Sequence, residues 1–388
     1  MTPTFAPACL TLLAILLGAL PPVRAATETA PALDDASRVR RDQWHLPFLR
    51  TVEAHRISQG EGVTVAVVDT GVEPHPDLER NLLPGIDLLE IDSKDGRKDS
   101  SGHGTGMAGI IAAHGQANGT GALGIAPKAQ IIPIRCFDGS SDGEIDCLAT
   151  AIEYAITSGA DIVSISAGGG PSARLSRALD GARSANVVVV AAAGNRADDP
   201  GVPYPAAANA VIAVGGIDNK GQHAAISVAS PAVDVVAPAI DIYSTSIKGK
   251  YRRGTGTSGA TAIVAGAAAL IRAKYPYLPA DEVAHRLTAT AIDKGPPGRD
   301  DQYGYGVIDL VAALTADVPP RGFESVPATS PEVAGPTTAA DGPLDDGDGA
   351  ATVRGLVTLG VLLAAGGAWT LFVRHRRRSD DPPPRITR

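Results

Sequence analysis

Short β-branched runs recur along this chain and alternate with longer stretches rich in alanine. Runs at 63–68, 130–135, 161–166, 187–191 and 210–214 have the length and composition of strands buried on both faces. Between and after them lie helix-length segments at about 103–114, 144–158, 172–184 and 259–274, the last following a Gly-rich turn. This alternation predicts an α/β fold, a doubly wound and mostly parallel sheet with helices on both faces joined by right-handed crossovers. In such sheets the working residues sit on loops at the carboxyl ends of the strands.

Two further apolar stretches bracket this body. Residues 8–20 are uncharged and are followed by Pro21-Pro22 and then Val23-Arg24-Ala25, a small-residue cleavage pattern, so 1–25 is expected to be a signal peptide. Residues 355–373 carry no charge and would span about 28 Å as a helix, close to a bilayer's hydrocarbon thickness. They precede Arg374-His375-Arg376-Arg377-Arg378, which by the positive-inside rule puts the tail in the cytoplasm and the folded part outside. Residues 316–353 hold six prolines, seven acidic residues and one arginine, a mixture too polar and broken to bury a core. The expected organisation is a signal peptide (1–25), an N-terminal extension (26–60), a compact body (61–315), a disordered linker (316–353), a transmembrane helix (354–373) and a basic cytoplasmic tail (374–388).

Composition narrows the function. The chain has 388 residues, is 44% hydrophobic and carries a net charge of −8, which suits a packed globular body and argues against a phosphate-backbone binder. No nucleic-acid partner is expected. Aromatics make up only 4%, so Ala, Val, Ile and Leu must build the core. Cys9 falls in the signal peptide, leaving Cys136 and Cys147. In an oxidising compartment these two invite a bridge worth roughly 2–4 kcal/mol, two separate buried thiols being the alternative. Neither has a second Cys or a His at ligand spacing, so no metal site is assigned.

Three short motifs carry chemistry. Asp69 follows the first strand in Asp69-Thr70-Gly71; His103 stands in Ser101-Gly102-His103-Gly104-Thr105 at a helix start; Ser258 stands in Gly256-Thr257-Ser258-Gly259 before the Ala-rich helix. A serine hydroxyl is a poor nucleophile at neutral pH and requires an imidazole to take its proton, and the imidazole requires a carboxylate to hold its tautomer. The order Asp, His, Ser on an alternating α/β body resembles the subtilisin-like serine proteases over about residues 60–312. That resemblance implies Asp69, His103 and Ser258 as a triad, Asn195 at the end of Ala191-Ala192-Ala193-Gly194-Asn195 as the amide donor of the oxyanion hole, and no cofactor. The chain departs from the family where Gly259-Ala260-Thr261-Ala262 follows Ser258: the usual Met is a glycine and the usual Pro is missing.

Proteases of this kind bind an extended peptide as an added strand between two backbone segments. Ser166, Ala167, Gly168 and Gly169 fit one side, and Gly139 and Ser140, after Asp138, fit the other; simple Gly-rich loops are the alternative. Ala191, Ala192 and Ala193 are candidates for the floor of the first specificity pocket. The remaining histidines (45, 55, 75, 114, 223, 285 and 375) are expected to serve packing or the surface.

The ends sharpen the resemblance. Gln43-Trp44-His45-Leu46, then Glu53-Ala54-His55-Arg56-Ile57-Ser58-Gln59-Gly60, a stalk, one C-terminal span and a short basic tail resemble the mycosins, membrane-anchored proteases of type VII secretion. This implies protein or peptide substrates, a single-pass place in the plasma membrane with the catalytic domain outside, secretion-complex components as partners, and an extension that wraps the protease. Residues 26–60 are too few to form a core of their own, so Trp44, Leu46 and Phe48 are expected to lie on the protease as apolar anchors. Two other readings stay open: an assembly factor with secondary proteolysis, and a tethered protease with no link to secretion.

Overall fold

The structure, a computed structural model, describes residues 36–90, 95–139, 145–195 and 201–321. The predicted signal peptide, the linker beyond residue 321, the membrane span and the tail lie outside the described residues. Among those described, no helix is long and apolar enough to cross a membrane.

Nine strands are present among the described residues: β1 (Thr64–Asp69), β2 (Ile86–Asp87), β3 (Gln130–Arg135), β4 (Ile162–Ile165), β5 (Val188–Ala192), β6 (Val211–Ile217), β7 (Val235–Pro238), β8 (Ile242–Thr245) and β9 (Tyr251–Gly254). The helices are α1 (Ala36–Asp42), α2 (His45–Phe48), α3 (Thr51–His55), α4 (His103–Ala112), α5 (Ile145–Thr157), α6 (Ala173–Ser184), α7 (Thr257–Lys274), α8 (Ala280–Ala289) and α9 (Leu310–Thr315). Seven strands form one sheet in the order β2-β3-β1-β4-β5-β6-β7. Each pairing in it is parallel, with Val65 opposite both Ile131 and Ile162. Strands β8 and β9 make a separate antiparallel hairpin.

Strand alternation divides the apolar side chains between two cores. Val65 and Val67 of β1 join Ile131, Ile162 and Val190 beneath α4 and α7, which contribute Ile110, Ile111, Ile263 and Leu270. Ala66 and Val68 point the other way, with Ile134, Val163 and Ile165, toward Leu148 and Ile152 of α5 and Leu175 and Leu179 of α6. The β-branched runs therefore read as continuous apolar strands because both of their faces are covered.

The predicted elements recur with small shifts. Helix α4 stops at Ala112, because Ala113 leaves helical geometry ahead of Gly115 at φ +68°. Helix α7 starts two residues earlier than the apolar pattern, at Thr257, and is buried through Arg272. Strands β7, β8 and β9 and helices α8 and α9 were not legible in that pattern. Tyr251-Arg252-Arg253-Gly254 is too polar to read as a strand, and its place comes from pairing with β8.

The described part of the extension lies on the helix-α7 side of the sheet. Gln43 bonds the carbonyls of Leu123 and Tyr243, Trp44 Nε1 donates to Ile240 O at 3.0 Å, and Ser58 Oγ donates to Leu270 O at 2.8 Å. Of the three expected anchors, Leu46 is buried and Trp44 packs against the core, but Phe48 is 38% exposed and touches Trp44 edge-on. Its position at the end of the short α2 turns it toward solvent.

Candidate active site

The carboxyl ends of β1 and β5 and the N-termini of α4 and α7 meet at one rim. Asp69 ends β1 and is 2% exposed. His103 opens α4 behind Gly102, which takes the left-handed conformation at φ +76°. The first turn of α4 lies so close to the β1 loop that a Cβ at Gly104 would sit 2.1 Å from Gly71 O. His103 Nδ1 is 2.7 Å from Asp69 Oδ1, and Asp69 Oδ1 also accepts the Thr70 N–H at 2.8 Å. Burial pushes the Asp69 carboxyl up, but His103, through its charge and hydrogen bond, together with Thr70 N–H and the Ser166 hydroxyl, holds it below the usual carboxylate range. It is therefore an anion at neutral pH, and it accepts rather than donates.

A second buried carboxylate holds the loop that carries His103. Asp99, 5% exposed, accepts from Thr70 Oγ1, Ser101 N and Gly102 N through Oδ1, and from Thr105 N and Thr105 Oγ1 through Oδ2, at 2.6–3.0 Å. Thr70 Oγ1 in turn accepts Gly104 N–H at 3.0 Å. The β1 loop and the start of α4 are thus tied through one anion. Sequence reading passed over Asp99; the signal for it was an Asp ahead of Ser-Ser-Gly at a helix start, a residue type that caps exposed N–H groups.

Ser258 is the second residue of α7, and its Oγ lies 3.5 Å from Ser166 O. Asn195 follows β5, and its Oδ1 accepts both Thr257 N at 2.7 Å and Thr257 Oγ1 at 2.9 Å. Because the amide oxygen is occupied by two donors, Nδ2 is the end left to donate. A Cβ at Gly256 would lie 3.2 Å from that Nδ2, so the glycine keeps space beside it. Thr257, which orients the amide, was also missed; its signal was its place in Gly-Thr-Ser.

His103, Asn195 and Ser258 line one cleft of about 210 Å³, which Arg252 of β9 also lines. Burial pushes the Arg252 guanidinium below its ordinary value against the pull of Asp69 and Asp99. Among the described residues, no cluster of three or more His, Cys, Asp or Glu side chains is placed to hold a metal ion.

The substrate segments fall as follows. Ser166 to Gly168 run on from β4 beside Ser258, but Gly169 exchanges both backbone hydrogen bonds with Tyr204, which leaves Ser166, Ala167 and Gly168 as the open stretch. Gly139, at φ +101°, stands next to Ser101, where its Cβ would meet Ser101 Cβ at 3.2 Å. Ser140 lies outside the described residues. Ala191 and Ala193 are fully buried in separate apolar clusters, and Ala192 is nearly so. Cys136 and Cys147 are joined, with an S–S distance of 2.10 Å.

Comparison with known proteins relates the chain to serine proteases. The subtilase family profile matches residues 60–306. The thermostable alkaline protease of Halalkalibacterium halodurans is 37% identical over 267 residues, covering 68% of this chain and 71% of that protein. Among solved structures, a serine protease MycP1, described as an essential component of the type VII (ESX-1) secretion system, superposes with a TM-score of 0.66 at 33% identity, covering 74% of this chain and 92% of that one. MycP1 from Mycobacterium smegmatis gives a TM-score of 0.66 at 28% identity over 81% of this chain and 92% of that one.

Proposed function

The chain belongs to the subtilase family and is a subtilisin-like serine endopeptidase related to the mycosins, and from that premise we propose that Asp69, His103, Ser258 and Asn195 are its catalytic residues. We further propose that it works as a membrane-anchored extracytoplasmic protease, processing proteins exported by a type VII secretion system. The observation that carries the first reading is the 2.7 Å contact between His103 Nδ1 and Asp69 Oδ1 in a cleft shared with Ser258 and Asn195.

Each group has one task. Asp69 accepts the Nδ1–H of His103, which leaves the Nε2 lone pair as the base. Ser258 Oγ is held only at the limit of hydrogen bonding to Ser166 O, so it turns to His103 with little to break. As Oγ attacks the scissile carbonyl, its proton passes to Nε2. The resulting oxyanion is met by Asn195 Nδ2 and by the Ser258 N–H, one of the unpaired donors in the first turn of α7. His103 then gives its proton to the leaving amine, and a water repeats the sequence to free the acyl group.

The anchoring proposal rests on the apolar segments 8–20 and 355–373 and the arginines at 374–378. With it go the boundaries 1–25, 26–60, 61–315, 316–353, 354–373 and 374–388 given above. The secretion context is supported by the relatives whose descriptions place them in type VII systems. A fluorophosphonate probe applied to the full chain in its membrane tests the chemistry: labelling is expected in the native protein and absent in Ser258→Ala. A folded native chain that takes no label rules the triad out. N-terminal mapping of secreted proteins from cells carrying either form tests the substrate class, and identical termini in both would sink the processing role.

A further inference from the structure

The same cleft holds a charge that peptide hydrolysis does not use. Arg252 reaches in from β9, its stem lying across α4 where a Cβ at Gly106 would meet its Cδ at 2.8 Å. Its Nη1 is buried and has no hydrogen-bond partner among the described residues. A buried guanidinium donor without an acceptor is costly, and such a group persists where a ligand completes it. The neighbouring anions do not take that place. Asp69 Oδ1 is engaged by His103 and Thr70, Asp69 Oδ2 is buried and makes no hydrogen bond among the described residues, to Arg252 or any other, and Asp99 accepts from Thr70, Ser101, Gly102 and Thr105.

Space for a ligand is made by missing side chains. Gly259, directly after Ser258, stands where the family carries a methionine, and a Cβ there would come only within 3.6 Å of Ile242 and 3.8 Å of Ile110. Gly254 leaves its side of the guanidinium open, its Cβ position being 4.0 Å from both Nε and Nη2 of Arg252. Met107, Ile110 and Ile242 supply apolar wall. The result is a pocket with one cationic end and a hydrocarbon lining, beside the reacting groups.

Its side of the scissile bond follows from proton transfer. His103 delivers a proton to the departing amine, so the leaving chain must lie along the imidazole and the helix that carries it. The pocket is walled by His103 and by Gly106, Met107 and Ile110 of that helix, and by none of Ser166 to Gly169. We propose that this pocket receives a carboxylate side chain, Glu or Asp, from the first residue after the scissile bond, with Arg252 as its counter-ion and Gly259 as the opening that admits it. The inference rests on the assignment of Ser258 and His103 above.

Internally quenched peptides identical except for Glu, Gln or Lys at that position test it on the full chain. A charge-assisted hydrogen bond in a part-buried site predicts that kcat/KM for Glu exceeds that for Gln by about 10- to 100-fold, with Lys lowest. Arg252→Gln should bring the Glu/Gln ratio to about one, Arg252→Lys should restore part of it, and Arg252→Glu should invert the Glu/Lys order. Gly259→Met should reduce the ratio by closing the opening. The slowing of fluorophosphonate labelling by the same peptides gives the ratio independently of turnover. Equal values for Glu and Gln with Ser258 still labelled overturn the role of Arg252 and leave the triad standing; a folded chain without label overturns both. A preference that follows a free terminal carboxylate at that position, shown by comparing a peptide acid with its amide, also overturns the side-chain assignment.

Discussion

Two helix N-termini carry the groups proposed to react, and they are held in different ways. The start of α4 is clamped by a buried carboxylate: Asp99 gathers donors from the β1 loop and from the helix's own first turn, so His103 has little freedom. The start of α7 is held by a neutral pair, Asn195 and Thr257, and among the described residues the Ser258 hydroxyl is left with one hydrogen-bond contact, at 3.5 Å. The difference matches the tasks. A base must keep one orientation through both proton transfers, whereas a nucleophile must swing toward a carbonyl and carry it. An anion beside α7 would also oppose the negative charge that develops there, while beside α4 it favours the imidazolium.

Substitutions at each end can break this contrast. Ser258→Ala should lower peptide hydrolysis by at least about 10^4-fold while leaving the thermal midpoint near that of the native chain. Asn195→Ala should lower kcat by about 10²–10³-fold with KM little changed, the range measured for such an amide in a subtilisin. Asp99→Ala should cost about 10²-fold in kcat, and, unlike the first two, also several kcal/mol of stability, because the donors it satisfied become buried orphans. If urea denaturation shows no loss, the clamp is not structural. Thr257→Val keeps the shape and removes one of the two bonds to Asn195 Oδ1; a drop of about 3- to 10-fold in kcat alone is expected, and an unchanged kcat would mean the backbone bond suffices.

A separate effect, on stability, concerns acid rather than the cleft. His45 in α2 is fully buried with neither ring nitrogen bonded among the described residues, and burial pushes it down to about 3. Its folded value lies below the unfolded one, so the folded state binds fewer protons between about pH 6.5 and 3. The contribution is complete above the unfolded value and is lost as pH falls through that window. The denaturation midpoint should therefore decline on acidification below about pH 6.5, and His45→Leu should flatten the decline. An identical slope in both chains would place the acid sensitivity elsewhere.

How far the sequence could be read varied with the kind of interaction. Strands β1, β3, β4, β5 and β6 and helices α4 to α7 stood out because burial on both sheet faces requires continuous β-branched runs, and crossover helices require long Ala-rich ones. Asp69, His103 and Ser258 stood out as candidates because few residue types perform acyl transfer and each occupied a strand end or helix start, whereas Asn195 came only with the family resemblance, since a lone Asn after Gly reads as a turn residue. The polar hairpin β8–β9 did not, since nothing local in Tyr251-Arg252-Arg253-Gly254 marks a strand. Gly169 likewise read as open backbone until Tyr204, distant in the chain, was found on both of its hydrogen bonds.

The order of elements, the composition of the core and the candidates for the reacting groups were therefore legible in local pattern, because periodicity and residue chemistry act within a few positions. The partners of Asp99, the orientation of the Asn195 amide and the unpaired charge of Arg252 were decided only by folding. Each depends on groups far apart in sequence that desolvation brings together, and the energy of a buried polar group is set by what surrounds it rather than by what it is.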